Sequence, residues 1–544
     1  MSRGTVAVIG AGPGGLSALE ELREVGFDVT LFEKRSDVGG LWTFSDDPSV
    51  TSAIAWTKSQ ISKFIVSSNR ESLWHRRAAN EDAQSYMSDF PFPDHYPAHI
   101  SAQEWSDYYK MYAKNFELYD NIVFNADVDV IRRDQEKGKW VVHVKGEATP
   151  RPLDRVVLAS GSETTPVHPI IENLDQFEGQ FMHSQAYKGP EGLKDKNVVV
   201  MGIGNTACDT VVELADHASK VYLSHRRGAK IIPRMNQDGP LDAVMSWRTS
   251  RFGHWLEHFL PGVFSLLTES VIKKNSMILG EQDPGWGFEP SPSLKLSLSV
   301  IVVNDDLFSR LREGRAESVR GVARIVGPRS VQLDDGRIIE DVDVIVAATG
   351  YRPDFSLLPD LSHTSAPDPK APPLPNLYQN IFAIDYPDSL ACVSYCTVGD
   401  NAASYRELQA MAIAQVWAGN SSLPSETEMR GSIAAYQNWV WKRFRAFAGA
   451  PLGSGQQYPW FRFVHEMAGT GMYEYLGWGW KGWQFWWQDR EFYRLVAWGA
   501  YSPHIYRLFE TGKRKTWPGA REAIIKVNED RDKMFPKKDK KKTA

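Results

Sequence analysis

The sequence predicts an α/β fold on three observations: two Gly-rich turns that each sit between an apolar strand and a helix, and a later apolar strand that follows the second of them. Together they predict two Rossmann-like dinucleotide-binding domains, the second inserted into the first.

The first turn lies in TVAVIGAGPGGLSALEELREVGFDVTLFEK, Thr5 to Lys34, which reads as strand, turn, helix and second strand in the order such a unit requires. Gly10, Gly12 and Gly15 form GxGxxG. The first allows the tight turn, the second lets backbone approach a pyrophosphate, and the third lets the helix pack closely, with its N-terminus facing the phosphates. Glu33 ends the second strand. A carboxylate there accepts hydrogen bonds from a ribose diol and repels a 2′-phosphate, so this site suits FAD or NAD.

The second turn lies in NVVVMGIGNTACDTVVELADHASKVYLSHRRG, Asn197 to Gly228, with Gly202, Gly204 and Ala207 as GxGxxA and Asn205 beside them. Where the first unit has Glu33, this one offers Ser224, Arg226 and Arg227. A hydroxyl and two guanidinium groups suit a 2′-phosphate, so NADPH is the better match here. The third element, VDVIVAATGY from Val342 to Tyr351, carries Thr349 and Gly350 and is expected to return the chain toward the first unit. Before it, SVQLDDGR places Asp335 and Gly336 at a hairpin turn. The expected organisation is residues 1–190 as the first part of an FAD domain, 191–340 as an NADPH domain with a helical insertion at about 240–300, 341–525 as the rest of the FAD domain, and 526–544 as a charged, disordered tail.

Bulk properties agree. At 544 residues the chain is long enough for two or three domains. A net charge of −5 gives no concentrated basic face for nucleic acid. Three cysteines, Cys208, Cys392 and Cys396, make no disulfide framework, which favours a reducing, cytoplasmic setting. No secretory leader precedes the strand at Val6, and the apolar stretch Trp255 to Ile272 is broken by Pro261 and carries Glu257 and Glu269, so it is not read as a span. The run Tyr473 to Tyr501 is rich in tryptophan and reads first as an aromatic packing layer; a membrane-interface surface or a substrate entrance are the other readings, so peripheral membrane contact stays open. The tail Lys537 to Lys542 reads as a solvated end, with a weak membrane-surface role as its alternative. Oligomeric state is not legible.

Between the two units lies FEGQFMHSQAY, in which Phe177, Gly179, His183 and Tyr187 form FxGxxxHxxxY. With GGLW (Gly39, Gly40, Leu41, Trp42), DFPFP (Asp89 to Pro93), ATGY (Ala348 to Tyr351) and the late SPHIYRL and WPGAREAI, this resembles the flavin-containing monooxygenase family from about residue 5 to about residue 525. The resemblance implies that NADPH reduces FAD, that O2 then forms a C4a-hydroperoxyflavin, and that a soft nucleophile such as an amine or sulfide takes one oxygen atom. It also implies that His183 helps couple the two nucleotide domains. The fingerprint occurs in variant form among Baeyer–Villiger monooxygenases, but SDFPFP and the C-terminal matches favour the N- and S-oxygenating branch.

One departure stands out. Family members place an asparagine beside the flavin shortly before DFPFP; here Gln60 is the nearest equivalent and Asn69 the alternative. An extra methylene misplaces a hydrogen bond where geometry sets efficiency. Val66 to Gln84 also reads as an insertion of about 19 residues against the family spacing. It is either a surface loop or translated intron, since Val66 can begin GT, Gln84 can end AG, and Ala79–Asn80 can spell a branch-point-like GCTAAC. The rivals to N- or S-oxygenation are a Baeyer–Villiger reaction, an uncoupled NADPH oxidase or inactive flavoprotein, and a disulfide reductase; the last needs an early cysteine pair that the chain lacks.

Overall fold

Thr5–Ile9 is apolar on both faces, as a strand inside a parallel sheet must be. In the computed structural model it pairs in parallel with Asp28–Phe32 on one side and Arg155–Leu158 on the other. Seven strands complete this first sheet, in the order Leu377–Tyr378, Phe382–Ala383, Leu390–Cys392, Arg155–Leu158, Thr5–Ile9, Asp28–Phe32, Ile122–Val123. The structure describes residues 2–54, 57–59, 86–236, 239–241, 245–289, 301–369, 371–398, 402–446 and 452–534. Gln60, Asn69 and the stretch Val66 to Gln84 lie outside the described residues.

The second sheet is parallel throughout, in the order Ala316–Arg320, Lys220–His225, Asn197–Met201, Val344–Ala347, Gln180–His183. This corrects two expectations. Val344–Ala347 (VIVA) belongs to the second sheet: its backbone groups are paired on both edges, by Asn197–Met201 and Gln180–His183, and its four apolar side chains are buried on both faces, as in the interior of a parallel sheet. The boundaries expected near 190 and 341 therefore fall inside one sheet. The return to the first unit is made just afterwards, where Tyr351–Arg352 pairs antiparallel with Thr165–Pro166. The hairpin is where the sequence puts it: Ser330–Leu333 pairs with Ile338–Ile339, and Gly336 takes the left-handed turn position at φ +87°.

The insertion is helical, Trp247–Phe259 and Pro261–Ser276, with Ser246 and Thr249 capping the first and Pro261 starting the second. The first of these docks on the C-terminal helices, its Arg251 guanidinium lying 4.4 Å from the Trp247 ring centre and 4.2 Å from that of Phe461. Among the described residues no helix is long and apolar enough to cross a membrane. The disordered tail expected from residue 526 is corrected as far as Met534, because Ala520–Met534 is a helix that buries Ile524 and whose Asn528 Oδ1 accepts from the Ala500 N–H at 2.7 Å; the rest of that expected tail lies outside the described residues.

Candidate functional site

The first Gly-rich turn is a backbone-on-backbone contact. Gly10 has φ +104°, and a Cβ there would stand 2.8 Å from the Ala159 carbonyl oxygen. A Cβ on Gly15 would stand 1.8 Å from the Gly10 carbonyl oxygen, so the helix Pro13–Glu24 can start here only with glycine. Gly12 is its N-cap. The GGLW segment forms a short 3-10 turn over this loop, with a Cβ on Gly40 reaching to 2.8 Å from Gly12 Cα. Trp42 anchors that turn by stacking on Trp105 at 5.4 Å.

These turns border a cavity of 490 Å³ lined by Gly10, Gly12, Glu33, Gly40, Leu41 and Trp42 among others. Glu33 is buried; its two oxygens accept from the Ala11 N–H at 2.6 Å and the Arg35 N–H at 2.9 Å. A carboxylate has further lone pairs, and these are left on the cavity side. Sequence reasoning missed Arg35, which donates to the carbonyls of Gly40 (2.7 Å), Thr43 and Phe44 (3.2 Å) and so fixes the GGLW turn. It also missed Tyr109, Gln185, Ser394 and Arg406, which line the same cavity from distant parts of the chain.

The second turn repeats the device. Gly202 has φ +131°, and a Cβ on it would come within 2.3 Å of the Ala348 carbonyl oxygen; Gly204 caps the helix Asn205–Leu214, and Ala207 is fully buried beneath it. Two expected contacts are corrected. Ser224 is buried and donates to the Arg320 carbonyl at 3.1 Å, and Asn205 Oδ1 accepts from the Val303 N–H at 2.9 Å. Ser224 thus ties two strands of the second sheet together, and Asn205 ties the start of its helix to the strand Ile301–Val303. Arg226 and Arg227 remain exposed at the strand end, with Arg226 Nε 3.7 Å from Asp334.

Three of the four fingerprint residues, Gly179, His183 and Tyr187, have a mechanical task. A Cβ on Gly179 would stand 2.6 Å from the Asp343 oxygen, so glycine admits the Val344–Ala347 strand. Tyr187 donates to Glu213 at 2.6 Å, tying the crossover to the second unit's helix. His183 Nδ1 accepts from the Gln185 N–H and Nε2 donates to the Gly350 carbonyl, both at 3.1 Å. Burial holds His183 down at about 4, so it stays neutral. Gly350 has φ +83°, and Thr349 bonds to the Val167 carbonyl. Gln185 Nε2 then reaches Thr51 at 2.7 Å, across to the first unit.

Behind the first turn lies a buried charge cluster. Arg507, from SPHIYRL, donates to Glu24 (2.7 Å), Glu20 (3.1 Å) and Glu21 (2.6 Å), stands 3.1 Å from Asp89 and bonds to Ser88 Oγ at 3.0 Å. Glu407 accepts from the Ser88 hydroxyl at 2.6 Å. Burial first, then the Asp89 charge, pushes Glu407 up to about 8. Because the folded protein holds that proton more tightly than the unfolded chain, whose carboxyl titrates near 4.5, stability falls as pH rises from about 4.5 to about 8. Glu407→Gln keeps an acceptor for Ser88 and is expected to flatten this decline; thermal midpoints across that range test it, and parallel profiles would contradict it.

Two linked dinucleotide units with Gly-rich turns of opposite neighbouring charge define a two-nucleotide flavoprotein oxidoreductase. A family model described as flavin-binding monooxygenase-like matches residues 3–543. The chain belongs to this family of FAD- and NADPH-dependent enzymes. It is 35% identical over 98% of its length to monooxygenase aurF of Gibberella zeae, covering 99% of that protein, and 32% identical over 79% of its length to the N-oxide-forming dimethylaniline monooxygenase 2 of Rattus norvegicus, covering 76% of it. The fold also matches S-allyl-L-cysteine S-oxygenase from Allium sativum (TM-score 0.59, 21% identity, covering 97% of this chain and 99% of that one). A further match is cyclohexanone monooxygenase from Rhodococcus sp. Phi1 bound to NADP+ (0.58, 17%, covering 87% and 98%).

Proposed function

We propose that the chain oxygenates the nitrogen or sulfur of a small nucleophilic substrate, an amine or a sulfide. The observation that carries this reading is the pairing of a Glu33-bordered cavity with an arginine-flanked second turn, in a chain 32% identical to an N-oxide-forming relative. Bound FAD supplies the redox chemistry, taking electrons from NADPH and passing them to O2.

The residues present fit both groups. Glu33 and the Gly10–Gly15 turn suit the ribose and pyrophosphate of FAD: a Cβ at Gly10, Gly15 or Gly40 would collide with the backbone that frames the cradle, so the bare backbone shape of the turn depends on glycine there. Gly202, Gly204, Arg226 and Arg227 suit NADPH. His183 and Gly350 bond at the ends of two second-sheet strands, beside the Gln185–Thr51 contact that reaches the first unit, and His183, being neutral and already donating to a carbonyl, positions backbone and transfers no proton. Among the described residues no cysteine lines the cavity, and burial pushes the Cys392 thiol up to about 12, which argues against a disulfide-reductase reading.

Product analysis with NADPH, O2 and either thioanisole, N,N-dimethylaniline or cyclohexanone tests the proposal. Sulfoxide or N-oxide formed in step with NADPH consumption supports it. Ester from the ketone with no sulfoxide would establish the Baeyer–Villiger reading, and hydrogen peroxide as sole product an uncoupled oxidase. Replacing Arg226 and Arg227 together by alanine is expected to raise the KM for NADPH about tenfold or more, since a hydrogen bond to a charged phosphate contributes about 1.5–3 kcal/mol. NADH kinetics should not change; equal loss with both nucleotides would remove these arginines from 2′-phosphate recognition.

A further inference from the structure

The tryptophan-rich run folds into the helices Met472–Tyr475, Trp480–Gln488 and Arg490–Trp498, and it divides its aromatic residues between two faces. Phe492, Tyr493, Val496 and Ala497 go inward, with Phe485 packed half-buried against them. Five of the six tryptophans go outward: Trp478, Trp480 and Trp487 are 80%, 79% and 82% exposed, and Trp483 and Trp498 are more than half exposed, while Trp486 packs half-buried against the core. Trp480, Trp483 and Trp487 follow i, i+3, i+7 spacing, so they share one face of their helix. An aromatic packing layer accounts only for the inward set.

The outward set continues onto the insertion. Arg248 lies 4.9 Å from the Trp478 ring centre. On the same helix Phe252, Trp255 and Phe259 follow at four, three and four residues, all exposed, with successive ring centres 6.0 and 5.5 Å apart. Leu260, Val263 and Leu266, exposed at the start of the next helix, extend the ridge. An apolar ridge drawn from two separate parts of the chain is larger than the scattered exposed side chains of an ordinary surface, and marks an interaction site.

Charge and side-chain type identify the occupant. Trp480–Gln488 contains no acidic residue and its one cation, Lys481, is paired with Glu474, while Pro261–Leu267 carries no charge, so the ridge itself is apolar and presents no net negative charge. Tryptophan pairs an apolar ring with a polar N–H, the combination that seats at the boundary between lipid tails and headgroups. The helix Ala520–Met534 is fastened to the same subdomain by Arg521 on Asp489 at 2.6 Å and Asn528 on Ala500 at 2.7 Å, and the sequence continues beyond it into KKDKKK, Lys537 to Lys542. An apolar surface combined with a polybasic segment is the two-part signal that gives stable attachment to anionic membranes.

We propose that the ridge centred on Trp480, Trp483 and Trp487 docks this protein on an anionic lipid surface. The full-length FAD-loaded protein is mixed with phosphatidylcholine vesicles, with and without phosphatidylserine, and separated by flotation. The wild type is expected to float with the serine-containing vesicles, and its tryptophan fluorescence to be quenched by brominated lipid. Replacing Trp480, Trp483 and Trp487 with serine should lower partitioning by about tenfold or more, while flavin content and thermal midpoint stay as in the wild type. Replacing the five tail lysines with glutamine should remove the preference for phosphatidylserine. Wild type that stays below the gradient, or a triple variant that partitions equally, overturns the proposal. So does a triple variant that merely converts a dimer to a monomer by sedimentation while vesicles capture neither form, which would make the ridge a contact between copies.

Discussion

Gly15→Ala is expected to leave the purified protein without flavin. The added methyl would lie 1.8 Å from the Gly10 carbonyl oxygen, well inside van der Waals contact, and both atoms belong to backbone that cannot swing aside. Relief requires the helix Pro13–Glu24 to draw back from the first sheet, which moves its N-terminus and opens the turn that frames the cavity. A loss of about 4 kcal/mol in FAD affinity corresponds to about a thousandfold in Kd. The flavin-to-protein ratio from visible absorbance measures it. Gly262→Ala is the control: nothing lies within 4 Å of its added Cβ, it sits in an ordinary helix, and it should be neutral or slightly stabilising. A Gly15→Ala protein with full flavin occupancy would show that the turn is not the FAD cradle.

The second large effect concerns Arg507. Its side chain is 3% exposed and faces four carboxylates, and burial already pushes Glu20 up to about 7 and Glu21 upward. Arg507→Met keeps much of the volume and removes the cation, which leaves buried carboxylates without a partner and is expected to cost about 3–5 kcal/mol. The thermal midpoint and the temperature of flavin release should fall together, because the cluster grips the helix that begins at the first Gly-rich turn. Adding Glu21→Gln should recover part of the loss by removing one of those carboxylates. An unchanged midpoint for Arg507→Met would mean that the cluster carries its charges as protonated acids and needs no counterion.

What was legible in the sequence was what depends on short spacing. Gly10, Gly12 and Gly15 are readable because each offset reports a local backbone contact, and the same holds for Gly202 and for the Asp335–Gly336 turn. The direction of Ser224 was not readable: Lys220–His225 is buried from its second residue to its last, so two-residue alternation gives no parity from which to tell inward from outward. Asn205, the first residue of its helix, is claimed by Val303 from a stretch 98 residues later, which local spacing does not report. The assignment of Val344–Ala347 failed for a related reason, since a wholly apolar strand fits either sheet and only Gly179 and its partner strand decide between them. Arg507 was hidden by distance, its partners coming from two remote stretches of the chain, Glu20 to Glu24 and Ser88–Asp89. The outward tryptophans carried a usable signal, the 480, 483, 487 spacing, which high aromatic content masked.

The Arg507 cluster also imposes an order on synthesis. Glu24 and Arg507 are 483 residues apart. At about 5–20 residues per second, roughly half a minute to a minute and a half separates their emergence from the ribosome. Through that interval the nascent helix carries Glu20, Glu21 and Glu24 with no cation to receive them, so they stay hydrated and the first unit stays loosely assembled. Leu390–Cys392, which pairs with Arg155–Leu158 in the first sheet, is also translated late, after the whole of the second sheet. The first nucleotide unit, though translated first, is therefore finished last, and a chain truncated before residue 507 should be retained by chaperones as an open N-terminal half beside a completed second unit.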